Sequence, residues 1–344
     1  MPHKEKENKT MMKKMMTIAA ASMMTAMMMA GTAMAEEYKV GIIQFVDDAS
    51  LNQIVASIQE QLDAKSAEGE DTFVYDGYVY NGQADSTTLS QITMQLMADE
   101  VDVIIPIATP AAQIVQSVTE DNPVPIVFSA VSDPVGAGLV ESMEAPGANI
   151  TGTSDFLNTN AILDLMFLAN PDIKSVGLLY SQSEDASKQP IADAKVYLEE
   201  KGVEYVEKTG TNNTEGAQAA DALVAAGVDA VFTPTDNTVM TAELAIFEKF
   251  IDAGVPHYAG ADSFALNGAF CGYGVDYENL GTATANMVIE ILKGADPAQT
   301  EVQTFDNGIA TVNTETAEAI GLDYSAFAEK CTAVVETVTA EEFE

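Results

Sequence analysis

The chain has 344 residues, with 53 aspartates and glutamates, 15 lysines and no arginine, so its formal net charge at pH 7 is −38. Charge this negative excludes electrostatic attraction to nucleic acid or to an anionic bilayer. A hydrophobic fraction of 47% excludes a disordered polymer, and the length allows two domains of about 150 residues each.

The first 35 residues resemble a secretory signal peptide. A lysine-rich start leads into the apolar run "MMTIAAASMMTAMMMAGTAMA", which closes on Ala33-Met34-Ala35. These are the basic head, apolar stretch and small-x-small end of an exported chain, so we expect cleavage after Ala35. A membrane anchor helix is the weaker interpretation, because the run is rich in Ala, Ser and Thr. The mature chain, residues 36–344, would then carry a net charge of −41.

The first half of the mature chain alternates short apolar runs with amphipathic segments. Strands are predicted at 39–46, 72–80, 101–108 and 124–131, and helices at 50–68, 86–99 and 110–120. The runs at 103–107 and 126–128 are apolar on both faces, as a parallel sheet covered by helices requires. This alternation predicts right-handed βαβ units.

The second half repeats the first in the same order. "VGIIQF" (40–45) returns as "VGLLYS" (176–181), "DVIIPIATPAAQ" (102–113) as "DAVFTPTDNTVM" (229–240), and "VPIVFSAVS" (124–132) as "VPHYAGADS" (255–263). The repeats predict two similar α/β lobes, with "PGANITGTSDF" (146–156) as a crossover. A helix after a lead-in at 272–294, a strand at 309–312 and two terminal helices would complete them. We expect lobe 1 at 36–152 plus about 272–310, and lobe 2 at 153–271 plus about 311–344.

In open parallel sheets, ligands bind beyond the carboxyl ends of the strands. The candidate ligand contacts are therefore the polar and aromatic residues that follow predicted strands, two alanines whose small side chains leave their N–H groups accessible, and two residues of the crossover. In the first half they are Gln44, Phe45, Asn81, Thr109, Ala111, Ala112 and Ser132. The crossover adds Asp155 and Phe156, and the second half adds Tyr180, Asp236, Asn237 and Asp262.

The junction at Thr109-Pro110 predicts an anion site. Pro110 suits a first helical position, which would make Thr109 the N-cap and leave the N–H groups of Ala111 and Ala112 open to a carboxylate. An ordinary capped helix would give the same pattern. In the second copy Asp236 replaces Thr109, so one wall of a cleft would offer donors and the other a carboxylate.

That pairing predicts a zwitterionic ligand. Its carboxylate would meet the helix start, and its ammonium group would meet Asp236 with Asp155 or Asp262 in support. Phe45, Phe156 and Tyr180 could line an apolar side-chain pocket, although each could equally belong to the core.

No catalytic, cofactor or metal motif supports an enzyme. The chain has no G-x-S-x-G elbow, Walker loop or dinucleotide fingerprint. Asp47-Asp48 and Glu184-Asp185 are interpreted as solvated loop and cap residues. Cys271 and Cys331 could form a disulfide or remain two buried thiols, and their sequence positions leave both open.

Seven segments resemble a known family. They are "GIIQFV", "NGQAD", "IATPAAQ", "SAVSDPVGAGLV", "PGANITGTSD", "PTDN" and "GYGVDYENLG". Together they look like the substrate-binding components of bacterial ABC transporters, across about residues 38–322. The resemblance implies a type I periplasmic-binding-protein fold, three hinge crossings and an aromatic amino acid ligand. It also implies Thr109, Ala111, Ser132, Asp155, Asp236 and Asn237 as contacts. Many relatives carry a lipid-attachment cysteine after the signal, where this chain has Ala35-Glu36.

We therefore expect an exported, monomeric solute-binding protein that delivers an amino acid to ABC permease subunits in the membrane and needs no cofactor. It would capture its ligand by closing the lobes. A sugar- or nucleoside-binding protein of the same fold and a ligand-sensing ectodomain are the alternatives.

Overall fold

A computed structural model of the chain describes residues 35–69, 71–305 and 308–340. All of the expected signal peptide except Ala35 therefore lies outside the described residues. Within the described ranges, no helix is both long enough and apolar enough to cross a membrane.

The first sheet has seven strands, all paired in parallel. Its order is β12-β6-β5-β4-β1-β2, and β3 also pairs with β1. β4 is buried along its whole length, because helices cover both faces of this sheet. The strands are β1 (Glu37–Gln44), β2 (Thr72–Val74), β3 (Val79–Asn81), β4 (Val103–Ile107), β5 (Ile126–Phe128), β6 (Ile150–Ser154) and β12 (Gln303–Thr304).

Four helices pack on the first sheet: α1 (Ala49–Ala67), α2 (Ser86–Ala98), α3 (Thr109–Thr119) and α10 (Tyr277–Leu292). Asp48 and Asp85 cap α1 and α2 by accepting N–H groups three residues ahead. α10 lies directly against α1, since a Cβ on Gly281 would come within 2.7 Å of the Ile54 carbonyl oxygen.

The second sheet also has seven strands, in the order β14-β13-β11-β10-β9-β7-β8. Among the described pairings of this sheet only β11–β13 is antiparallel. The strands are β7 (Ser175–Tyr180), β8 (Glu204–Thr209), β9 (Ala230–Thr233), β10 (His257–Ala259), β11 (Cys271–Gly274), β13 (Ile309–Asn313) and β14 (Ala333–Thr337). Its helices are α4 (Thr159–Ala169), α5 (Lys188–Lys201), α6 (Asn213–Ala226), α7 (Asn237–Met240), α8 (Glu243–Ala253), α9 (Asp262–Leu266) and α11 (Thr314–Ile320).

The chain passes between the two sheets three times: after β6, after β11 and after β12. We call the first sheet with α1–α3 and α10 lobe 1, and the second sheet with its helices lobe 2. The predicted fold class, two similar α/β lobes joined by three connections, is confirmed. The residue bounds of the lobes stay a prediction. At two boundaries the strands differ from it: residues 153–154, expected in lobe 2, pair in the first sheet, and residues 272–274, expected in lobe 1, pair in the second.

The structure differs from the sequence prediction in four places. The strand predicted at 72–80 is two strands, separated by a turn at Gly77 with φ +85°. The expected crossover at 146–156 contains β6, and the expected lead-in at 272–276 contains β11. The second terminal helix is a short 3₁₀ helix at Ser325–Glu329, and the unpredicted strand β14 follows it and pairs in parallel with β13 at the edge of the sheet.

Candidate functional site

A small cavity of about 30 Å³ lies between the lobes, and segments that follow strand ends in both sheets supply most of its wall. Space of this size has room for roughly two water molecules. Lobe 1 contributes Asp48, Ser50, Leu51, Ala108, Thr109, Ala130 and Ser132. Lobe 2 contributes Ala186, Thr235, Asp236, Asn237, Met240, Ala261, Ser263 and Phe264. Asp155 comes from the first connection, and Tyr277 is the first residue of α10 in lobe 1.

The wall of this cavity is acidic. Asp48, Asp155 and Asp236 line it, and Asp262 lies between two lining residues at the start of α9. Among the described residues, no lysine, arginine or histidine lines the cavity. A carboxylate buried without a cation is costly, so this arrangement suits a positively charged ligand group.

The start of α3 forms one side of the cavity, and it differs from the prediction by one residue. Ala108, not Thr109, is the N-cap, so Pro110 occupies the second helical position. The Ala112 N–H donates to the Ala108 carbonyl at 3.1 Å, so the prediction that it is open to a ligand is wrong. The N–H groups of Thr109 and Ala111 have no acceptor within the described chain. They are the donors that a ligand carboxylate could meet.

Two alanines of the wall hold an unusual backbone conformation. Ala108 has φ +79° and Ala130 has φ +53°, and they follow β4 and β5. Residues with a Cβ rarely adopt this region, and such strain concentrates at binding sites. It turns the chain sharply from strand to wall, which places Thr109 and Ser132 at the cavity.

Asp236 was the predicted partner of a ligand ammonium group, but its oxygens are already engaged. Oδ1 accepts the Val239 N–H at 2.9 Å and so caps α7. Oδ2 accepts the Ser181 N–H and the Ser187 hydroxyl, both at 2.6 Å. Burial raises the pKa of Asp236. Asp236 lines the cavity, but these three bonds give it a structural role within lobe 2.

Asn237 is held in a similar way by Glu184. Its Nδ2 donates to Glu184 Oε2 at 3.0 Å, while Oε1 of the same carboxylate accepts the Thr238 N–H at 2.8 Å. Glu184 is buried, so its interpretation as a solvated residue is wrong. Burial, with a smaller contribution from the nearby Asp236 charge, raises the pKa of Glu184 to about 7.

Asp155 lies on the first connection between the lobes, directly after β6. Its Oδ1 accepts the Ser132 hydroxyl at 3.1 Å. Both side chains are buried and line the cavity. Burial raises the pKa of Asp155 to about 6. The two predicted contacts are therefore together, at the end of β6.

Asp48 and Asp262 approach the cavity from opposite lobes. Asp48 caps α1 through Oδ1, which accepts the Leu51 N–H at 3.1 Å. Asp262 begins α9, and its Oδ1 accepts the hydroxyl of Ser50 in lobe 1. The Ser50 oxygen in turn accepts the Ser263 N–H at 3.2 Å. Asp48 is buried, so its interpretation as a solvated cap is only half right.

Several polar atoms of the wall lack any protein partner. Asp48 Oδ2, Thr109 Oγ1 and Ser263 Oγ are buried without a hydrogen bond, and all three residues line this cavity. Only six such side-chain atoms occur in the described chain. Because buried polar groups are almost always paired, half of these exceptions at one place indicate a polar ligand.

Eight of the thirteen predicted contacts do not line the cavity: Asn81, Ala111 and Asp262, together with five others whose side chains lie elsewhere. Gln44 donates to Val46 and Asn52 within lobe 1, and Phe45 belongs to the core. Phe156 is 47% exposed, and the Tyr180 hydroxyl donates to Glu207 on the neighbouring strand. The assignment of Phe45, Phe156 and Tyr180 to an apolar pocket is not supported, because none of these side chains lines the cavity. Ala112 is the fifth, buried in the core beneath α3. Ala111 is also buried there and offers only its N–H.

Asn81 lines a second, open cleft of about 860 Å³ between the lobes. Asp48 and Met240 belong to both spaces, so the cleft adjoins the small cavity. The cleft wall is rich in side-chain amides: Asn52, Asn81, Gln83, Asn213 and Asn267.

The sequence analysis missed Asp48, Ser50, Thr235, Ser263 and Tyr277. Asp48 and Thr235 follow strands, so the strand-end rule could have included them. Ser50, Ser263 and Tyr277 begin helices, and nothing in their local sequence distinguishes them from ordinary helix starts. Across the described ranges, no group of three or more His, Cys, Asp or Glu side chains is placed to hold a metal ion.

Comparisons with known proteins agree with this geometry. Residues 39–332 match a family model described as "ABC transporter substrate binding protein". A tyrosine-binding protein from Clostridioides difficile (strain R20291) is 32% identical over 287 residues, which are 83% of this chain and 82% of the relative.

Two solved structures differ in how well they superpose. An ABC domain from Streptococcus pneumoniae in complex with L-Trp has a TM-score of 0.80 at 30% identity and covers 87% of this chain and 100% of its own. The ligand-free, open structure of a substrate binding protein with adhesive properties from Clostridium difficile has a TM-score of 0.66, also at 30% identity, and covers 88% and 100%. At equal identity, the present fold superposes better on the ligand-bound relative than on the ligand-free, open one.

Proposed function

The chain belongs to the family of ABC transporter substrate binding proteins, and from this premise we propose that it captures an aromatic amino acid between its lobes and presents it to an ABC importer. Proteins of this family bind small molecules, act outside the cytoplasm and work with ABC permeases. Export through a signal peptide cleaved after Ala35, and action as a monomer, are part of the proposal.

One observation carries the assignment to an amino acid. The small cavity between the lobes combines buried carboxylates that lack a cation with N–H and hydroxyl donors that lack an acceptor. A zwitterion satisfies both sets at once, because its ammonium group donates and its carboxylate accepts.

The carboxylate end would lie at the start of α3. Three donors there lack a partner: the N–H groups of Thr109 and Ala111 and the buried Thr109 hydroxyl. They lie at the N-terminus of α3, where the helix carries a partial positive charge that favours an anion. Since the chain has no arginine, these donors replace the guanidinium fork that holds carboxylates in many other sites.

The aromatic class is supported by two relatives, one named for binding tyrosine and one solved with L-Trp. A cavity of about 30 Å³ does not hold an aromatic side chain, so the ligand would enter an open form. The adjoining open cleft offers space for the side chain beyond Met240.

A sugar or nucleoside ligand is not favoured, because it would leave the buried carboxylates without a cation. A sensing ectodomain would use the same ligand geometry and would differ only in its partner. No chemistry on the ligand is proposed, since capture requires binding and closure alone.

Differential scanning fluorimetry against amino acids, sugars and nucleosides tests the proposal. A ligand at 100 times its dissociation constant should add about 2.7 kcal/mol to the free energy of unfolding. We expect the largest shifts with L-tyrosine or L-tryptophan. A shift with a sugar or nucleoside, and none with any amino acid, would reject the proposal.

A further inference from the structure

The four carboxylates at the cavity differ in how far the protein already satisfies them. Asp236 accepts three hydrogen bonds from lobe 2, and Asp155 accepts one from Ser132. Asp48 uses only Oδ1, and its buried Oδ2 has no partner. Asp262 accepts the Ser50 hydroxyl through Oδ1. Asp48 therefore retains the clearest unused capacity to accept a donor.

Asp48 and Asp262 belong to different lobes, and a single serine connects them. Ser50 gives its one hydroxyl proton to Asp262 and accepts the Ser263 N–H. The Ser263 hydroxyl lies close enough to Asp48 to lower the pKa of its carboxyl, but neither this hydroxyl nor Asp48 Oδ2 has a partner with full hydrogen-bond geometry within the described chain. The contact between the lobes is therefore incomplete on the side that faces the cavity.

The charges around this pair are all acidic or neutral. Asp47 precedes Asp48 and is exposed, and the Asp48 charge acts on Asp262. The Tyr277 phenol feels the charges of Asp155, Asp262 and Asp48 in addition to its own burial, which together raise its pKa well above the usual value. No basic side chain of the described residues lines the cavity or the open cleft beside it.

Resting on the proposed function, we propose that Asp48 and Asp262 form a cation subsite shared by the two lobes, which the ligand's ammonium group occupies when the lobes close. Closure without that group brings two carboxylates together in a site from which water is largely removed, and their repulsion opposes it. An ammonium group between them reverses the sign of that interaction. The charge of the ligand, and not only its shape, would then select the closed form.

The protonation properties of the pair are consistent with this geometry. Burial raises the pKa of Asp262 to about 7, with a further contribution from the Asp48 charge, and burial raises the pKa of Asp48 to about 6. In the ligand-free closed form, protons would replace the missing cation.

Asp48→Asn and Asp262→Asn test the subsite without removing the structural contacts. Asparagine keeps an oxygen that can cap α1 or accept the Ser50 hydroxyl, so each variant should fold. Glu60→Gln is the control, because Glu60 is exposed on α1 and lines neither the cavity nor the open cleft. Isothermal titration of L-tyrosine and L-tryptophan should show affinity lower by about 100-fold in both subsite variants. The control should bind like the wild type.

A deaminated analogue separates charge recognition from a general loss of structure. The wild type should strongly prefer L-tyrosine over 3-(4-hydroxyphenyl)propanoate, which lacks only the amino group. In Asp48→Asn and Asp262→Asn that preference should fall at least about tenfold. The variants lose attraction for the ammonium group, and they also lose the repulsion between two carboxylates that opposes closure around the deaminated ligand. A purely structural defect would weaken both ligands equally and leave the ratio unchanged.

The outcomes distinguish this inference from the function on which it rests. If the wild type binds no amino acid, the proposed function fails and the subsite fails with it. If the wild type binds L-tyrosine or L-tryptophan but the subsite variants keep its affinity or its preference ratio, amino-acid capture stands and only the shared cation subsite is overturned.

Discussion

Gln113 in lobe 1 donates from Nε2 to Oδ2 of Asp185 in lobe 2 across 2.7 Å, so the lobes are hydrogen-bonded at a second place besides Ser50 and Asp262. Asp185 also pairs with Lys188, which fixes its carboxylate at the start of α5. The interaction exists only while the lobes are together. It therefore stabilises the closed form relative to any open one.

Gln113→Ala should weaken ligand binding by up to about tenfold, which corresponds to the loss of one hydrogen bond to a charged acceptor. The unfolding transition of each lobe should change little. Gln116→Ala is the control, because Gln116 lies on the same helix but donates to Leu139 within lobe 1 at 3.0 Å. Equal losses of affinity in the two variants would contradict a role in closure.

The stability of the ligand-free protein should fall as pH rises from about 4 to 7. Burial raises the pKa of Asp48 and Asp155 to about 6 and of Asp262 to about 7, from a usual value of 3.8. In this range the folded protein keeps protons that the unfolded chain has lost, so the free energy of unfolding decreases with pH. Chemical denaturation at pH 5 and pH 8 measures the change.

The same experiment on Asp262→Asn separates the contribution of this cavity carboxyl from that of the other acidic residues of the chain. The variant should show a shallower dependence between pH 5 and 8, because one of the raised carboxyls no longer titrates. An unchanged slope would place the effect in the general surface charge.

A buried chain of hydrogen bonds should contribute strongly to the stability of lobe 2. His257 lies between Glu243 Oε1, 2.9 Å from Nδ1, and Thr233 Oγ1, 2.8 Å from Nε2, and all three side chains are buried. Glu243→Ala removes one partner and leaves the imidazole unsatisfied, at a cost of about 3 kcal/mol. Glu248→Ala, at an exposed position of the same helix, should cost less than about 0.5 kcal/mol. Urea denaturation of both variants compares them.

The two cysteines should react as separate thiols. Both are free in the described chain, with Cys271 buried in β11 and Cys331 partly buried after the 3₁₀ helix at Ser325–Glu329. Burial raises the pKa of both thiols, and Cys271 is the more deeply placed. An alkylating reagent should label Cys331 first in the native protein and both after unfolding. A mass that increases by two hydrogen atoms on reduction would instead reveal a disulfide.

The sequence predicted the architecture because buried parallel strands leave a local signal. The apolar run at 103–107 and the repeated motifs were sufficient to predict two α/β lobes, while the three connections were implied by the family resemblance. Ser132 was predicted because it follows a predicted strand and Asp155 because it lies on the predicted crossover, and the two side chains meet at the cavity.

The finer assignments failed where the answer depended on distant residues. Asp236 looked available until Ser181 and Ser187, about 50 positions earlier in the chain, were seen to use its Oδ2. The N-cap was misplaced because Ala108 adopts a positive φ that no residue type there would indicate. Asp48 was set aside as a solvated acid, but it is buried in the wall of the cavity between the lobes.

The position of α10 late in the chain has a consequence for the order of assembly. Lobe 1 begins at β1, but α10 and β12, which complete it, come from residues 277–304. A nascent chain that ends before residue 277 would expose the apolar face of α1 around Ile54 and Ile58, both fully buried in the finished protein. Lobe 1 is therefore complete only after most of lobe 2 has been synthesised, and lobe 2 in turn is completed by the late strands β13 and β14.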